Sequence, residues 1–470
     1  MTKPMDATAD ALVVFGITGD LGRRMTLPAL YRLELRGDLP CDVYGVGRNE
    51  RTTDELRAMA REAVEDAGEQ VDDEVFSRFA KRLTYLQADA TDRASYRQLA
   101  ETMGSVRRPV FYLATPPSVF APTVDAIGQA GLADGARVVI EKPFGHDLAS
   151  ARELNERLRQ VLDPSQIYRI DHFLGKEPVQ DIVYLRFANE LFEPVWNRHH
   201  VESVQITLAE SFGIEGRGSF YDPVGALRDV VQNHLLQVLA LVSMEAPAGS
   251  SAAIEDRKLD VLRSMPAADP KHYSRGQYEG YRDEDGVDPR SGTETYAALR
   301  LRIDNWRWSG VPFLIRAGKA MGTTLGEVRV LFRRPPPILM GDRTERVRHH
   351  NHVTIRFGKD AGATIGVSVK DPAGNHATPI HLGVSFQDHV AKSPTPYERL
   401  LGDALAGDPT LFPRQAVVEE MWRIVQPLLD AAPPVESYPR GSWGPSSADR
   451  LAERHGGWRT PGDDDPSDGR

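Results

Sequence analysis

Short apolar runs alternate with longer amphipathic stretches over the first third of the chain. The runs at 11–15 (ALVVF), 42–46, 85–88, 110–114 and 137–140 end in glycine or polar residues. Between them, 21–35, 53–67 and 73–81 carry helix-like spacing. Strands this short, spaced by helices, imply right-handed βαβ crossovers and a parallel sheet. The pattern changes after about residue 175. Strand-like segments at 201–209, 294–303, 313–315, 327–332 and 352–357 are joined by turn-rich stretches, which suits a mostly antiparallel sheet. The long helix of this half is expected to start at Asp222-Pro223, an N-cap followed by proline. The architecture expected is therefore an α/β dinucleotide-type domain over 1–175 and a larger α+β domain with a broad, mostly antiparallel sheet over 176–455. A polar, Gly/Pro-rich tail, 456–470, is expected to be disordered.

Composition narrows the function classes. The 470 residues include 57 Lys+Arg against 67 Asp+Glu, a net charge of −10. An acidic chain lacks the basic face that nucleic acid requires, so no nucleic-acid partner is expected. A small cluster of cations can still hold a phosphorylated metabolite. The one cysteine, Cys41, excludes a disulfide framework and a CxxC metal site. The opening residues MTKPMDATAD hold no signal-peptide core, and the longest apolar stretch, 235–244, is about half a membrane span. The expectation is a cytoplasmic globular protein with no membrane partner.

Gly16-Ile-Thr-Gly-Asp-Leu-Gly22 follows the first apolar run and opens a helix. Glycines let the backbone turn tightly and approach a pyrophosphate, while free N–H groups at a helix start hold its charge. Gly16, Thr18, Gly19, Asp20 and Leu21 are thus candidate coenzyme contacts. The second strand ends in Gly47-Arg48. An arginine there suits the 2′-phosphate of NADP, whereas NAD enzymes usually place a carboxylate at this point. Glu50 lies two residues on. Asp89 and Ala90 follow the third strand and are candidates to flank the adenine.

Three clusters carry chemistry. Lys142, in Glu141-Lys-Pro-Phe-Gly145, sits at a strand's C-terminal end, where open α/β sheets bind ligands. Residues 168–177 (YRIDHFLGKE) place Asp171, His172 and Lys176 beside a glycine. Asp229 and His234 lie within RDVVQNHL, where Leu227, Val230, Val231, His234, Leu235 and Val238 follow helical spacing. Taken alone, such a histidine reads as a core residue. As a base it needs a carboxylate to orient it, which Asp171 can supply. No group of His, Cys, Asp or Glu has metal-ligand spacing, so no metal site is expected.

The combination resembles the glucose-6-phosphate dehydrogenase family over nearly the whole chain. The stretches that carry the resemblance are GITGDLGRR, YLATPPSVF, EKPFG, RIDHFLGKE, LRFAN, EGRGSFYD, RDVVQNHLLQ, DNWRWSGVPF, AGK, YERLL and GSWGP. It implies a Rossmann-like coenzyme domain joined to a larger domain with a broad antiparallel sheet, assembled as a homodimer or homotetramer. It implies NADP as coenzyme and glucose 6-phosphate as substrate, oxidised at C1. His234 matches the family's general base and Asp171 its partner. His172 and Lys176 match phosphate-binding groups, Glu210 and Asp229 match carboxylates that bind sugar hydroxyls, and Lys319 matches a further substrate lysine. Lys142 matches the lysine between substrate and coenzyme. Two positions depart from the pattern. Thr324 stands where the family usually carries a cation, unless 322–327 aligns differently, and Phe173 replaces a common tyrosine. A sugar dehydrogenase of the glucose–fructose oxidoreductase type would share the EKP segment, but it has no use for the His172/Lys176 pair. A silent nucleotide sensor would have lost Asp171 or His234.

Overall fold

The structure, a computed structural model, describes residues 7–89, 92–249, 252–335, 350–358, 360–373, 377–386 and 393–460. The chain divides into two units. The first holds the N-terminal residues through Lys176 together with 249–255 and 394–419. Its strands are β1 (Ala11–Phe15), β2 (Asp42–Gly47), β3 (Leu83–Gln87), β4 (Pro109–Leu113), β5 (Arg137–Ile140) and β6 (Ile167–Arg169). They form one sheet in the order β3-β2-β1-β4-β5-β6, and every pairing is parallel. Helices cover both faces, which is why β1, β4 and β5 are apolar and buried at nearly every position rather than alternating. The strand order reverses between β1 and β4, the switch point at which such sheets bind ligands. The helix Thr53–Asp66 opens with a reciprocal capping box of Thr52 and Glu55.

The second unit is built on a nine-stranded sheet. Its strands are β7 (Val201–Ala209), β8 (Tyr273–Tyr278), β9 (Tyr296–Leu301), β10 (Phe313–Gly318), β11 (Leu325–Phe332), β12 (His352–Arg356), β13 (Gly362–Lys370), β14 (Ala377–Ser385) and β15 (Val435–Tyr438). The order is β14-β13-β12-β11-β7-β10-β9-β8-β15. Two pairings, β7 with β10 and β8 with β15, are parallel and the others antiparallel.

The helix expected from Asp222-Pro223 starts later. Asp222 closes a short helix, Gly218–Tyr221, and its carboxylate accepts hydrogen bonds from the Tyr281 hydroxyl (2.9 Å) and from Ser291. Gly225 then turns the backbone at φ +72°. Winding resumes at Leu227, whose N–H donates to Glu294 Oε1 at 3.1 Å. Tertiary acceptors thus replace the local cap that the Asp-Pro pair suggested. Of the tail expected to be disordered over 456–470, the part through Thr460 is described and held at Gly457 and Arg459, and 461–470 lie outside the described residues. Gln205 takes hold of the described part by donating to the Gly457 carbonyl (2.9 Å) and accepting from the Arg459 N–H (3.0 Å). Among the described residues no helix is long and apolar enough to cross a membrane.

Candidate active site

Because the first sheet is parallel, the segments after all its strands emerge at one edge. Gly16 follows β1 at φ +80°, and a Cβ there would lie 2.4 Å from the Ala114 carbonyl oxygen. A Cβ on Gly22 would lie 2.0 Å from the Ile17 oxygen. Neither position tolerates a side chain, so the loop keeps its backbone exposed for an anion. The Gly19 N–H closes the turn on the Gly16 oxygen at 2.9 Å. From Gly22 to Thr26 the chain winds as a π-helix, with the Leu27 N–H returning to the Gly22 oxygen. This cradle fits the pyrophosphate of a dinucleotide. Thr18 and Leu21 are half-buried in it and Asp20 is exposed. Arg48 follows β2 with its side chain exposed and its carbonyl held by Gln87 Nε2 at 3.1 Å. Asp89 follows β3, while Ala90 lies outside the described residues.

Lys142 follows β5 and is half-buried, whereas its neighbour Glu141 is buried beneath the edge. Tyr112 donates to Glu141 Oε1 at 2.7 Å, and Tyr397 bonds the same carboxyl group. Burial raises the Glu141 carboxyl to about 7, against the pull of these hydroxyls and of Lys142. The Tyr397 phenol is raised by burial and by the charges of Glu141 and Asp171, so the group adjoins Asp171. Asp171 Oδ1 accepts from the Phe173 N–H at 3.0 Å, the first of a run of turns that ends with the Lys176 N–H on the Phe173 carbonyl. A Cβ on Gly175 would meet the Pro396 carbonyl oxygen at 2.8 Å. The turns gather His172, Phe173 and Lys176. Lys176 Nζ lies 3.5 Å from the centre of the Phe173 ring, and the His172 ring meets that ring edge-on at 5.1 Å. Phe173 therefore forms the wall shared by the two expected phosphate ligands.

In the second unit, Lys319 Nζ lies 2.6 Å from Glu210 Oε2. Main-chain bonds between 210–212 and 318–321 hold the two segments side by side. The Lys319 ammonium also faces the rings of Phe212 (5.5 Å) and Tyr221 (5.3 Å). Burial raises the Tyr221 phenol, and the charges of Asp229, Glu294 and Glu210 raise it further, which places these carboxylates around one ring. Thr324 Oγ1 accepts from the Ser211 N–H at 3.1 Å and shares a 2.9 Å hydrogen bond with the Ser211 hydroxyl. It ties down the residue after Glu210.

His234 is buried, as are its apolar neighbours, but their winding is not the α-helix that the spacing suggested. Leu227–Leu235 is a π-helix, with the Leu236 N–H returning to the Val231 carbonyl. Asn233 sustains it: its Nδ2 donates to the Arg228 carbonyl at 3.0 Å and its Oδ1 accepts the His234 N–H at 2.6 Å. In an α-helix, side chains five residues apart diverge by about 140°. A π-helix bonds i to i+5, so Asp229 and His234 come to one face. Reading the sequence missed Asn233. The signal was an amide with poor helix propensity beside the histidine, inside an apolar stripe.

The parallel sheet, glycine cradle and cations at its edge define a nicotinamide-coenzyme oxidoreductase. Residues 13–181 match the family model described as glucose-6-phosphate dehydrogenase, NAD binding domain, and 183–459 match its C-terminal domain. The chain belongs to the glucose-6-phosphate dehydrogenase family and carries that family's activity, the first step of the oxidative pentose phosphate pathway. It is 50% identical over 454 residues to glucose-6-phosphate 1-dehydrogenase 1 of Mycobacterium tuberculosis, covering 96% of this chain and 97% of the relative. The enzyme of Treponema pallidum is 42% identical over 479 residues, with 94% and 93% covered. A crystal structure from Mycobacterium avium superposes with a TM-score of 0.90 at 50% identity, covering 97% of this chain and 99% of that one. A glucose-6-phosphate dehydrogenase solved with glucose 6-phosphate superposes with a TM-score of 0.89 at 31% identity, covering 96% and 99%.

Proposed function

We propose that the chain oxidises β-D-glucose 6-phosphate to 6-phospho-D-glucono-1,5-lactone, with His234 as general base and with NADP preferred over NAD. The buried His234 on a π-wound turn, in a chain of this family, is the observation that supports the reading most. His234 takes the proton of the C1 hydroxyl at a ring nitrogen. Asp171 orients that imidazole and stabilises its charged form, as the carboxylate of a catalytic dyad does. His172 and Lys176 hold the 6-phosphate. Glu210, Asp229 and Lys319 receive the sugar hydroxyls, and Lys142 stands between sugar and coenzyme. Gly16, Thr18, Gly19, Asp20, Leu21, Asp89 and Ala90 would hold the dinucleotide, with Arg48 reading the 2′-phosphate. The nicotinamide, when bound, supplies the hydride acceptor, while the protein supplies orientation and charge placement.

The chain acts as a homodimer or homotetramer in the cytoplasm. The exposed apolar residues Leu382 and Val384 on the edge strand β14 support assembly through the large sheet, and a single buried cysteine suits a reducing compartment.

The test is reduction of NADP and of NAD by glucose 6-phosphate, with unphosphorylated glucose as control. His234→Asn is expected to lower kcat by roughly 10²- to 10⁴-fold with a smaller effect on KM. A folded, fully active His234→Asn enzyme would end the assignment. Arg48→Ala is expected to raise the KM for NADP by about one to two orders of magnitude and to leave that for NAD nearly unchanged. Equal effects on both coenzymes would remove Arg48 from phosphate recognition.

A further inference from the structure

A cavity of about 610 Å³ lies in the first unit beside β6, away from the glycine loop. Its walls are largely flat and apolar. Tyr168 and Phe412 meet edge to face at 4.7 Å, with Pro413 and Ala416 beside them. Arg169 contributes the charge. It is 3% exposed, and among the described residues its one hydrogen bond runs from Nη2 to Asn155 Oδ1 at 2.7 Å. Its Nε is buried without a partner. A guanidinium offers five N–H donors, so most of this one's capacity is unused. Burial lowers Arg169 to about 10 against the opposing pull of the Glu419 charge, which leaves it a cation at neutral pH. Arg159, also on the cavity, makes no ion pair among the described residues.

The acids on the same cavity are already engaged. Glu419 accepts from Gln415 (2.7 Å) and Asn155 (3.3 Å) and pairs with Arg152 (3.4 Å), while Glu255 accepts the Arg414 N–H at 2.9 Å. Spare donors therefore outnumber spare acceptors. The volume falls within the usual range for a small-ligand pocket, apolar walls with a few placed polar groups being the usual make-up.

We infer that this cavity binds a small anion with a flat apolar body, its acidic group set toward Arg169 and its rings against Tyr168 and Phe412. The site is separate from coenzyme and substrate.

The probe is 8-anilinonaphthalene-1-sulfonate, titrated by fluorescence against the full chain with NADP saturating so that the glycine loop is filled. N-phenyl-1-naphthylamine, the same body without the sulfonate, is the neutral control. One saturable site is expected, with the neutral compound bound about tenfold more weakly. Ala416→Trp fills the cavity without touching the coenzyme loop and is expected to abolish the signal while leaving kcat unchanged. Arg169→Met is expected to bring the two probes to equal affinity. If Arg169→Met does not fold, Arg159→Ala, which leaves the core intact, is expected to lower sulfonate affinity about threefold. Absence of saturable binding, equal binding of both probes to the parent chain, or unchanged binding in Ala416→Trp would each overturn the site.

Discussion

Lys319 and Glu210 form an ion pair of 2.6 Å in which the ammonium is almost fully buried and the carboxylate partly open. Both are proposed to meet the sugar, so each is held by the other before substrate arrives. Lys319→Met would leave Glu210 without its cation. The expected outcome is a KM for glucose 6-phosphate raised at least tenfold. A double-mutant cycle with Glu210→Gln should give a coupling energy in unfolding of about 0.5–3 kcal/mol, toward the lower end because Glu210 is hydrated. Additive effects would show the pair to be incidental.

Thr324 belongs to the same neighbourhood and changes what a cation there would do. If Thr324 merely stood in for the family's cation, Thr324→Lys would strengthen substrate binding by about 1 kcal/mol. The hydroxyl, however, accepts the Ser211 N–H, and its loss costs about as much. Thr324→Lys is now expected to lower the unfolding midpoint while changing KM less than threefold. Urea unfolding and initial rates on one preparation decide it.

Phe173 supplies a ring, rather than a hydroxyl, to Lys176. A cation over an aromatic face contributes about 0.5–2 kcal/mol when partly desolvated. Phe173→Leu should therefore raise the KM for glucose 6-phosphate roughly three- to tenfold and leave that for NADP alone. Phe173→Tyr keeps the ring and should stay within twofold of the parent. If the leucine and tyrosine variants behave alike, the ring is not what orders Lys176.

Asn233 holds the π-winding that brings Asp229 and His234 to one face. Asn233→Ala removes a donor and an acceptor and is expected to lower stability by about 1–2 kcal/mol. Both kcat and the affinity for glucose 6-phosphate should fall, because a tighter helix would turn one of the two side chains away. Asn233→Asp restores the acceptor alone and should recover part of each. Loss of stability with unchanged kinetics would make Asn233 a structural residue only.

Glu141 links pH to stability. Its carboxyl is raised by burial from 4.5 to about 7 in the folded chain. A raised folded value means that its favourable contribution is full below about 4.5 and is lost as pH climbs through about 7. The shift corresponds to an energy on the order of 3 kcal/mol. Glu141→Gln mimics the protonated form. It should be stabilised relative to the parent at pH 8.5 and close to it, or less stable, at pH 5.5. Urea unfolding at the two pH values gives the comparison, and a pH-independent difference would contradict it.

How much was legible in the sequence differs between the two units. Of the five N-terminal strands that were visible, β1, β4 and β5 stood out because burial on both faces makes them nearly unbroken apolar runs, as in ALVVF. The edge strand β6 was not visible, since Tyr168 and Arg169 read as part of the chemical cluster that follows. In the second unit β8 (YSRGQY), β13 (GATIGVSVK), β14 (ATPIHLGVS) and β15 (VESY) went unseen. Their glycines, prolines and polar residues hide the period of two, and β14 is largely exposed. Glu210 and Lys319 were singled out by the resemblance alone, with no pattern of their own to mark them. Periodicity could not anticipate the π-helix, because apolar residues at 227, 230, 231 and 235 satisfy an α-helical stripe equally well. The Asp222-Pro223 start failed for a related reason: Tyr281 and Ser291, far along the chain, compete for the carboxylate that a local cap would have used.

The first unit's core is completed from far along the chain. Tyr397, Leu400, Leu401, Leu405 and Phe412 pack into the cluster that contains Leu12, Val14 and Leu30, and Ala9 and Arg137 hydrogen-bond the carbonyls of Leu405 and Ala404. On the ribosome the coenzyme fold must therefore wait, with one side of its core open, until Phe412 has emerged. A messenger cut short anywhere before codon 412 yields a chain with an exposed apolar groove.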